Sequence, residues 1–169
     1  MCVRTNLTCM CARTQQWGYG VAMADGRREL ATSAWAALLR THAALVPQLD
    51  RTVQRKVGLP LSWYDVLLEL AAAPDRRLRM TELGERVVLS RTRVSRIVDE
   101  LVDAGLACRE ENATDKRSAY ARLTEEGLAR YREAAPHYLL AIEQQFAAPL
   151  TDSQLRCVAS ALSRVAPPR

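Results

Sequence analysis

Apolar residues in the N-terminal third of the chain recur at helical intervals. Between Arg27 and Leu49 these apolar residues are Leu30, Ala34, Ala37, Leu38, Leu45 and Leu49. This pattern predicts a long amphipathic helix that is interrupted or bent at Pro47, because proline lacks the N–H that an interior helix position needs. A shorter helix is predicted from Asp50 to Val57. Residues 1–26 have no such period and are predicted to form a flexible arm.

The C-terminal part of the chain is also predicted to be helical, from about Thr124 to Val165. Pro136 predicts a kink, Pro149 a break, and Thr151 with Gln154 has the spacing of a capping box. Helices that are apolar along one side tend to bury that side against another element. The regions 27–57 and 124–169 are therefore predicted to pair with each other and with a second copy of the chain.

Two shorter helices are predicted in the first half of the central region. The first runs from Trp63 to Ala73, with Ser62 as its cap and Asp65 as a favourable negative charge in its first turn. The second runs from about Thr81 to Val87.

A third central helix and a β-hairpin follow. After a tight turn at Val88 and Leu89, the helix runs from Ser90, a good N-cap, to Ala104 and ends at Gly105. Two helices joined by such a short turn form the helix-turn-helix pattern. The hairpin joins Leu106–Glu111 to Ala119–Leu123 through Asn112–Ser118. The predicted fold is mainly α with a small β-hairpin wing, and residues 58–123 form its DNA-binding lobe.

The third helix has a charge distribution that suits DNA. Val94, Ile97, Val98 and Leu101 define its buried face, and its arginines lie in its first half while its acidic residues lie in the second. Cations at a helix N-terminus are mildly destabilising. A helix that enters a major groove needs basic and hydroxyl side chains there. The predicted DNA-facing residues are Ser90, Arg91, Thr92, Arg93, Ser95 and Arg96. The alternative is a solvated helix whose arginines pair with Glu82, Glu85 or Asp99.

The hairpin tip offers a second contact with DNA. It carries Asp115, Lys116 and Arg117 beyond both predicted strands. A long cationic side chain at such a tip reaches the narrow, electronegative minor groove. Arg117 is the first candidate for that contact.

These motifs resemble the MarR family of winged helix-turn-helix regulators. The resemblance is specific from Leu61 to Gly127 and looser in the terminal helices, and it rests on SWYDVLLEL, SRTRVSRIVDELVDAGL and TDKRSAYARLTEEG. The last segment contains the Asp-x-Arg signature of the family at Asp115 and Arg117. The resemblance implies that Arg117 enters the minor groove while Asp115 holds the wing through a basic partner. It also implies a homodimer on a palindromic operator, with repression as the usual mode.

Charge and composition agree with a nucleic-acid partner. The net charge is +5 and the pI is near 9.2, and only Lys56 and Lys116 among the 24 basic residues are lysine. Arginine binds phosphate or guanine through a planar fork, although a GC-rich genome would also encode an excess of arginine. No apolar stretch is long enough for a membrane span, and residues 1–22 lack a signal-peptide core. The cytoplasm is the expected location.

Members of this family are often released from DNA by a small aromatic or anionic ligand, which the resemblance places between the dimer helices and the winged lobe. The candidate lining residues here are Trp35, Arg40, His42, Trp63 and Tyr64. The alternative for these residues is that they are amphipathic side chains at the edge of the core.

Other functional classes are disfavoured by the sequence. His42 and His137 are the only histidines, and Cys9 and Cys11 lack the spacing of a zinc site, so neither metal nor cofactor is expected. The sequence has no glycine-rich phosphate-binding loop, no GxSxG motif and no pair of carboxylates in an apolar setting, so an enzyme is not predicted. No cysteine lies where the peroxide-sensing branch of the family has one; the five are Cys2, Cys9, Cys11, Cys108 and Cys157. A winged helix that binds protein remains the second alternative.

Overall fold

The structure is a computed structural model that describes residues 25–87, 91–111 and 119–165. The helices of this part are α1 (Asp25–Val57), α2 (Leu61–Ala72), α3 (Met80–Arg86), α4 (Arg91–Asp103), α5 (Glu125–Ile142) and α6 (Asp152–Ser163). The strands are β1 (Arg77–Arg79), β2 (Ala107–Glu111) and β3 (Ala119–Leu123). The predicted arm, residues 1–26, lies almost wholly outside the described residues. The predicted fold class is confirmed.

The chain divides into two compact units, Met1–Arg40 and Thr41–Arg169. The described part of the first unit is the beginning of α1, and its larger apolar side chains, Leu30, Trp35, Leu38 and Leu39, are all exposed in the single chain. The second unit contains every other described element. Because this division tests none of the three predicted boundaries, the domain limits at residues 26, 57 and 123 stay predictions.

The core of the second unit is built on α2. Its Val66, Leu67 and Leu70 are fully buried, and they belong to one cluster with the apolar face of α4 and with Leu78, Leu83, Ala121 and Leu123. A fully buried aliphatic side chain contributes about 1.5–3 kcal/mol by leaving water. This cluster therefore holds the helix-turn-helix and the sheet against a common support.

The sheet has three antiparallel strands in the order β1-β3-β2. Ala107 lies opposite Leu123 and Glu111 opposite Ala119, as the predicted hairpin requires. The strand β1 was not predicted. It is only three residues long, two of them arginines, and it follows a 3₁₀ turn at Pro74–Arg76 in which Asp75 and Arg76 have positive φ angles of 53° and 54°.

The predicted division of the first helix at Pro47 is wrong, because α1 continues through it to Val57. Loss of one hydrogen bond and the clash of the proline ring cost about 3 kcal/mol in a helix interior. Beyond Pro47, Leu49 and Val53 are 8% and 0% exposed. Their burial offsets the cost of the proline, so tertiary packing overrides the local signal.

The predicted cap of α2 at Ser62 is also wrong. The helix begins at Leu61 after Pro60, with no side-chain cap in its own sequence. Instead, the backbone N–H of Leu61 donates to Asp50 Oδ1 at 2.7 Å, so a carboxylate eleven residues earlier accepts from the first turn. Asp65 consequently lies beyond the first turn, where no helix-end N–H groups stabilise its charge.

The remaining helices agree with prediction to within one or two residues. Gly105 ends α4 with a φ of 73°, a left-handed conformation that glycine adopts without strain. Thr151 and Gln154 form the predicted capping box, with Gln154 N–H donating to Thr151 Oγ1 at 3.3 Å. A π-helical turn at Glu143–Ala147 follows α5, and the predicted break at Pro149 separates it from α6. Pro136 lies inside α5.

Candidate nucleic-acid interface

Helix α4 has one buried face and one exposed face, as its sequence predicted. Val94, Ile97, Val98 and Leu101 are at most 4% exposed. On the other side Thr92, Arg93 and Arg96 are exposed along the first half of the helix, and together with Ile97 and Glu100 they line a shallow depression. The exposed surface of α4 is therefore basic near its N-terminus and acidic further along.

The predicted contact residues fall into two groups. The structure describes Thr92, Arg93, Ser95 and Arg96. It does not describe the side chain of Arg91, and four residues lie wholly outside the described ranges: Ser90, Asp115, Lys116 and Arg117. Within the described part of the chain, Arg96 forms no ion pair, and Asp99, one of its predicted alternative partners, binds Arg109 instead. The guanidinium group of Arg96 thus retains its full charge toward solvent.

Arg109 on β2 ties the wing to α4. Its Nη2 lies 2.8 Å from Asp99 Oδ1, and its Nε donates to the same oxygen at 2.9 Å. Its Nη2 also donates to Ser95 Oγ at 3.1 Å and to Ser95 O at 3.3 Å. Ser95 is accordingly half-buried and directed at the wing. Sequence reasoning missed Arg109, because Asp99 and Arg109 lie on separate elements and no short pattern specifies their pairing.

A side-chain hydrogen bond also joins α4 to α2. Trp63 Nε1 donates to Glu100 Oε2 at 2.9 Å. Trp63 was predicted as a pocket residue, and here it connects α2 directly with the exposed side of α4. This hydrogen bond is therefore a direct link between α2 and the exposed side of α4.

Tyr64 lies inside a cluster of tyrosines. It is 3% exposed, and the centre of its ring is 5.5 Å from that of Tyr131 and 4.7 Å from that of Tyr138. Burial, with the neighbouring Tyr131 and Tyr138, raises the pKa of Tyr64, so its hydroxyl stays protonated at neutral pH. The other predicted pocket residues, Trp35, Arg40 and His42, are exposed on α1. Their role in ligand binding stays a prediction.

Among the described residues, Asp65 has the carboxyl group most perturbed by its surroundings. Burial and the nearby charge of Glu69 raise its pKa to about 6, from an ordinary value of 3.8. Among the described residues, none donates a hydrogen bond to Asp65 or forms an ion pair with it. Burial, and next the charge of Asp65, raise the pKa of Tyr138. The polar side of α2 thus holds a carboxyl group that is costly to ionise.

No group of three His, Cys, Asp or Glu side chains among the described residues converges on a position for a metal ion. Cys108 is a half-buried free thiol on β2, and Cys157 is an exposed one on α6. None of the described helices is both long enough and apolar enough to cross a membrane.

Comparison with known proteins decides the family. Residues 57–118 match the MarR family model. The chain is similar to Sco3205, a MarR family transcriptional regulator from Streptomyces coelicolor crystallised in complex with DNA, with 35% identity and a TM-score of 0.73. That match covers 79% of this chain and 87% of Sco3205. The chain belongs to the MarR family.

Two further matches support this MarR assignment. AbsC, also a MarR family regulator of S. coelicolor, is 27% identical with a TM-score of 0.72, and the match covers 86% of this chain and 95% of AbsC. The transcriptional repressor YetL of Bacillus subtilis is 33% identical over 79 residues, which is 47% of each protein. All are transcription regulators, a non-enzymatic class. The predicted winged helix-turn-helix family, and the prediction that the chain is not an enzyme, are confirmed by these relatives.

Proposed function

We propose that this MarR family protein is a sequence-specific DNA-binding transcription regulator. The first half of α4 enters the major groove, and the wing tip with Lys116 and Arg117 enters the neighbouring minor groove. The observation that carries the proposal is the exposed basic half of α4, where Thr92, Arg93 and Arg96 face solvent above a fully packed apolar face. Ser90, Arg91, Ser95 and Asp115 complete the proposed DNA-binding set.

The charges of α4 favour DNA over solvent as the partner of its exposed face. Arginines in the first half of a helix are disfavoured by the helix dipole, by a few tenths of a kcal/mol each. Arg96 forms no ion pair with another described residue, so the described residues do not offset the cost at that arginine. Phosphates and guanine edges supply the missing acceptors.

The four contacts of Arg109 with Asp99 and Ser95 support simultaneous use of helix and wing. A wing held against α4 in this way presents both elements to DNA in one fixed arrangement. Fixed geometry lowers the ordering cost of binding two adjacent grooves.

The protein is proposed to act as a homodimer. In the described single chain, large apolar side chains remain exposed on three helices: Leu30, Trp35, Leu38, Leu39, Leu139, Leu140 and Leu162. Soluble proteins rarely leave such surface uncovered. Regions 27–57 and 124–169 would then form the dimer and residues 58–123 the DNA-binding lobe. Two copies would read a palindromic operator whose half-sites are about 10 base pairs apart.

Repression and release by a ligand complete the proposal. YetL is a repressor, and by analogy we propose the same role here, in the cytoplasm. A small aromatic or anionic ligand bound near Trp35, Arg40, His42, Trp63 and Tyr64 would act through the Trp63–Glu100 hydrogen bond on α4. Such a ligand shifts the protein between two states only by its difference in affinity for them.

A fluorescence-anisotropy titration tests the proposal. The probes are a duplex from immediately upstream of the gene and a random duplex of the same length, each at two salt concentrations. Tight, selective and salt-sensitive binding to the upstream duplex is expected, since bound phosphates release counterions. Equal weak binding to both duplexes, or binding that does not change with salt, would instead favour a winged helix that binds a protein partner.

A further inference from the structure

The outer face of the sheet carries a second concentration of arginines. On β1, Arg77 and Arg79 are exposed while Leu78 between them is 3% exposed. On β3, Arg122 is exposed between the buried Ala121 and Leu123. Because side chains alternate along a strand, these arginines share the face that points away from the helices. We call Arg77, Arg79, Arg122, Tyr120 and Glu110 the arginine face.

This arrangement does not favour the stability of the sheet. Arg77 and Arg122 lie directly opposite each other on neighbouring strands, and like charges in that position repel. Within the arginine face, only the carboxylate of Glu110 offsets these two positive charges. Its Oε2 lies 3.6 Å from Arg77 Nη1 and its Oε1 lies 3.0 Å from Arg122 Nη1. Two opposed guanidinium groups thus share one carboxylate, and the face keeps a net positive charge.

The arginines are also held in place. The guanidinium groups of Arg77 and Arg79 lie 5.1 Å and 5.8 Å from the centre of the Tyr120 ring. Arg79 Nε donates to the Tyr120 hydroxyl at 3.2 Å. Arg77 and Arg122 nevertheless keep 47% and 54% of their side-chain surface exposed. Arg77 and Arg122, which are exposed and share one carboxylate, are therefore suited to bind phosphates.

We propose that the arginine face binds backbone phosphates of the DNA that flanks the operator. This inference rests on the proposed function, because it assumes that the wing tip reaches a minor groove. Tyr120 follows Arg117 by three residues and Arg122 by five, so their Cα atoms lie at most about 11 Å and 18 Å from that of Arg117. At about 3.4 Å per base pair, the face reaches up to about five base pairs beyond the wing contact.

Arg79 adds a second connection to the backbone. It stands at the N-cap of α3, where its own N–H donates to Glu82 Oε2 at 3.2 Å. In helix-turn-helix proteins the first helix of the motif crosses the DNA backbone. The arginine face therefore extends from α3 to the wing along the side on which flanking phosphates would pass.

The test compares two DNA lengths. The operator is first bounded by footprinting with the full-length protein, and two duplexes are made: one ends at the outer wing contacts, and the other continues for about six base pairs on each side. Binding is measured for the wild type, for the double variant Arg77→Ala/Arg122→Ala and for the matched control Arg77→Lys/Arg122→Lys. The control keeps the positive charge at the same two exposed positions.

The wild type and the control are expected to bind the longer duplex more tightly than the shorter one, and the arginine-face variant, which keeps Arg79, is expected to lose most of that gain. On the longer duplex the slope of log K against log salt should fall by about 0.9 for each phosphate that the variant no longer binds. An unchanged ratio between the two duplexes in the variant, or no gain from length in the wild type, overturns the proposal.

A second variant covers the case in which the double variant does not fold. Glu110→Gln removes the neutralising carboxylate, and it should tighten binding to the longer duplex relative to the shorter one. Unchanged or weaker relative binding overturns the proposal in that case. Failure of the proposed function is recognised separately, because the wild type would then not distinguish operator from random DNA of equal length. Random duplexes of the two lengths would still report on the arginine face.

Discussion

Replacing Asp65 with asparagine should stabilise the protein at neutral pH. The carboxyl group is half-buried on α2 with Glu69 nearby, and burial raises its pKa to about 6. The unfolded chain releases the same proton near the ordinary value of 3.8. At neutral pH the folded protein therefore holds a carboxylate in a place that disfavours its charge, and asparagine keeps the shape without the charge.

The size of the effect follows from the difference of about two pKa units. One unit corresponds to about 1.36 kcal/mol, which sets an upper limit of about 3 kcal/mol. Asp65 is only partly buried, so screening by water reduces the expected gain to about 1–2 kcal/mol. Since the pKa is raised by folding, the contribution of Asp65 to stability is fully present below about pH 4. It is lost as the pH rises toward and through about 6.

Urea denaturation between pH 4 and pH 7.5, at one fixed protein concentration, measures this difference. The stability of the Asp65→Asn variant relative to the wild type should increase with pH and level off above pH 7. Asp103→Asn, an exposed carboxylate on α4, is the matched control and should change stability by only a few tenths of a kcal/mol. A gap between Asp65→Asn and the wild type that is the same at every pH, or a variant that is less stable at pH 7, would refute the reasoning.

Four other changes have expected outcomes. Arg117→Ala should weaken operator binding in a mobility-shift assay without unfolding the protein. The loss of affinity should be smaller in an Arg109→Ala background, because the wing is no longer held against α4 there. Equal losses in the two backgrounds would show that Arg109 does not position the wing. Arg96→Ala should alter sequence preference, or weaken all sequences alike and reduce the salt slope by about 0.9 if its contact is to phosphate. Gly127→Ala should lower stability by at least about 2 kcal/mol in thermal denaturation, because a Cβ there meets the Leu106 carbonyl oxygen at 1.9 Å; unchanged melting would contradict this. Deletion of residues 1–22 should leave a dimer in size-exclusion chromatography, and a monomer would contradict the proposed dimer regions.

Local patterns predicted most of the fold. The faces of α4, the end of that helix at Gly105 and the capping box at Thr151 depend on residues within one or two helical turns, so the sequence displays them directly. The β-hairpin was predicted for the same reason. Where a boundary depended on distant residues, the prediction was wrong. The cap of α2 comes from Asp50, and the passage of α1 through Pro47 depends on packing beyond it.

The candidate site was predicted only in part for a similar reason. The exposed residues of α4 follow from helical period, and their exposure is as expected. The links from Arg109 to Asp99 and from Trp63 to Glu100 join separate elements across 10 and 37 positions, which no short pattern specifies. The arginine face depends on β1, and that strand carries too few apolar residues to be recognised from its sequence.

The hydrogen bond from Trp63 to Glu100 gives the protein an intrinsic fluorescence signal for the position of α4. An indole whose N–H is bound to a carboxylate emits differently from one whose N–H is bound to water, so the emission of Trp63 depends on where α4 lies relative to α2. The other tryptophans of the chain are Trp17 and Trp35. With both replaced by phenylalanine, stopped-flow fluorescence of unlabelled protein would follow α4 as DNA binds, in real time and without a dye.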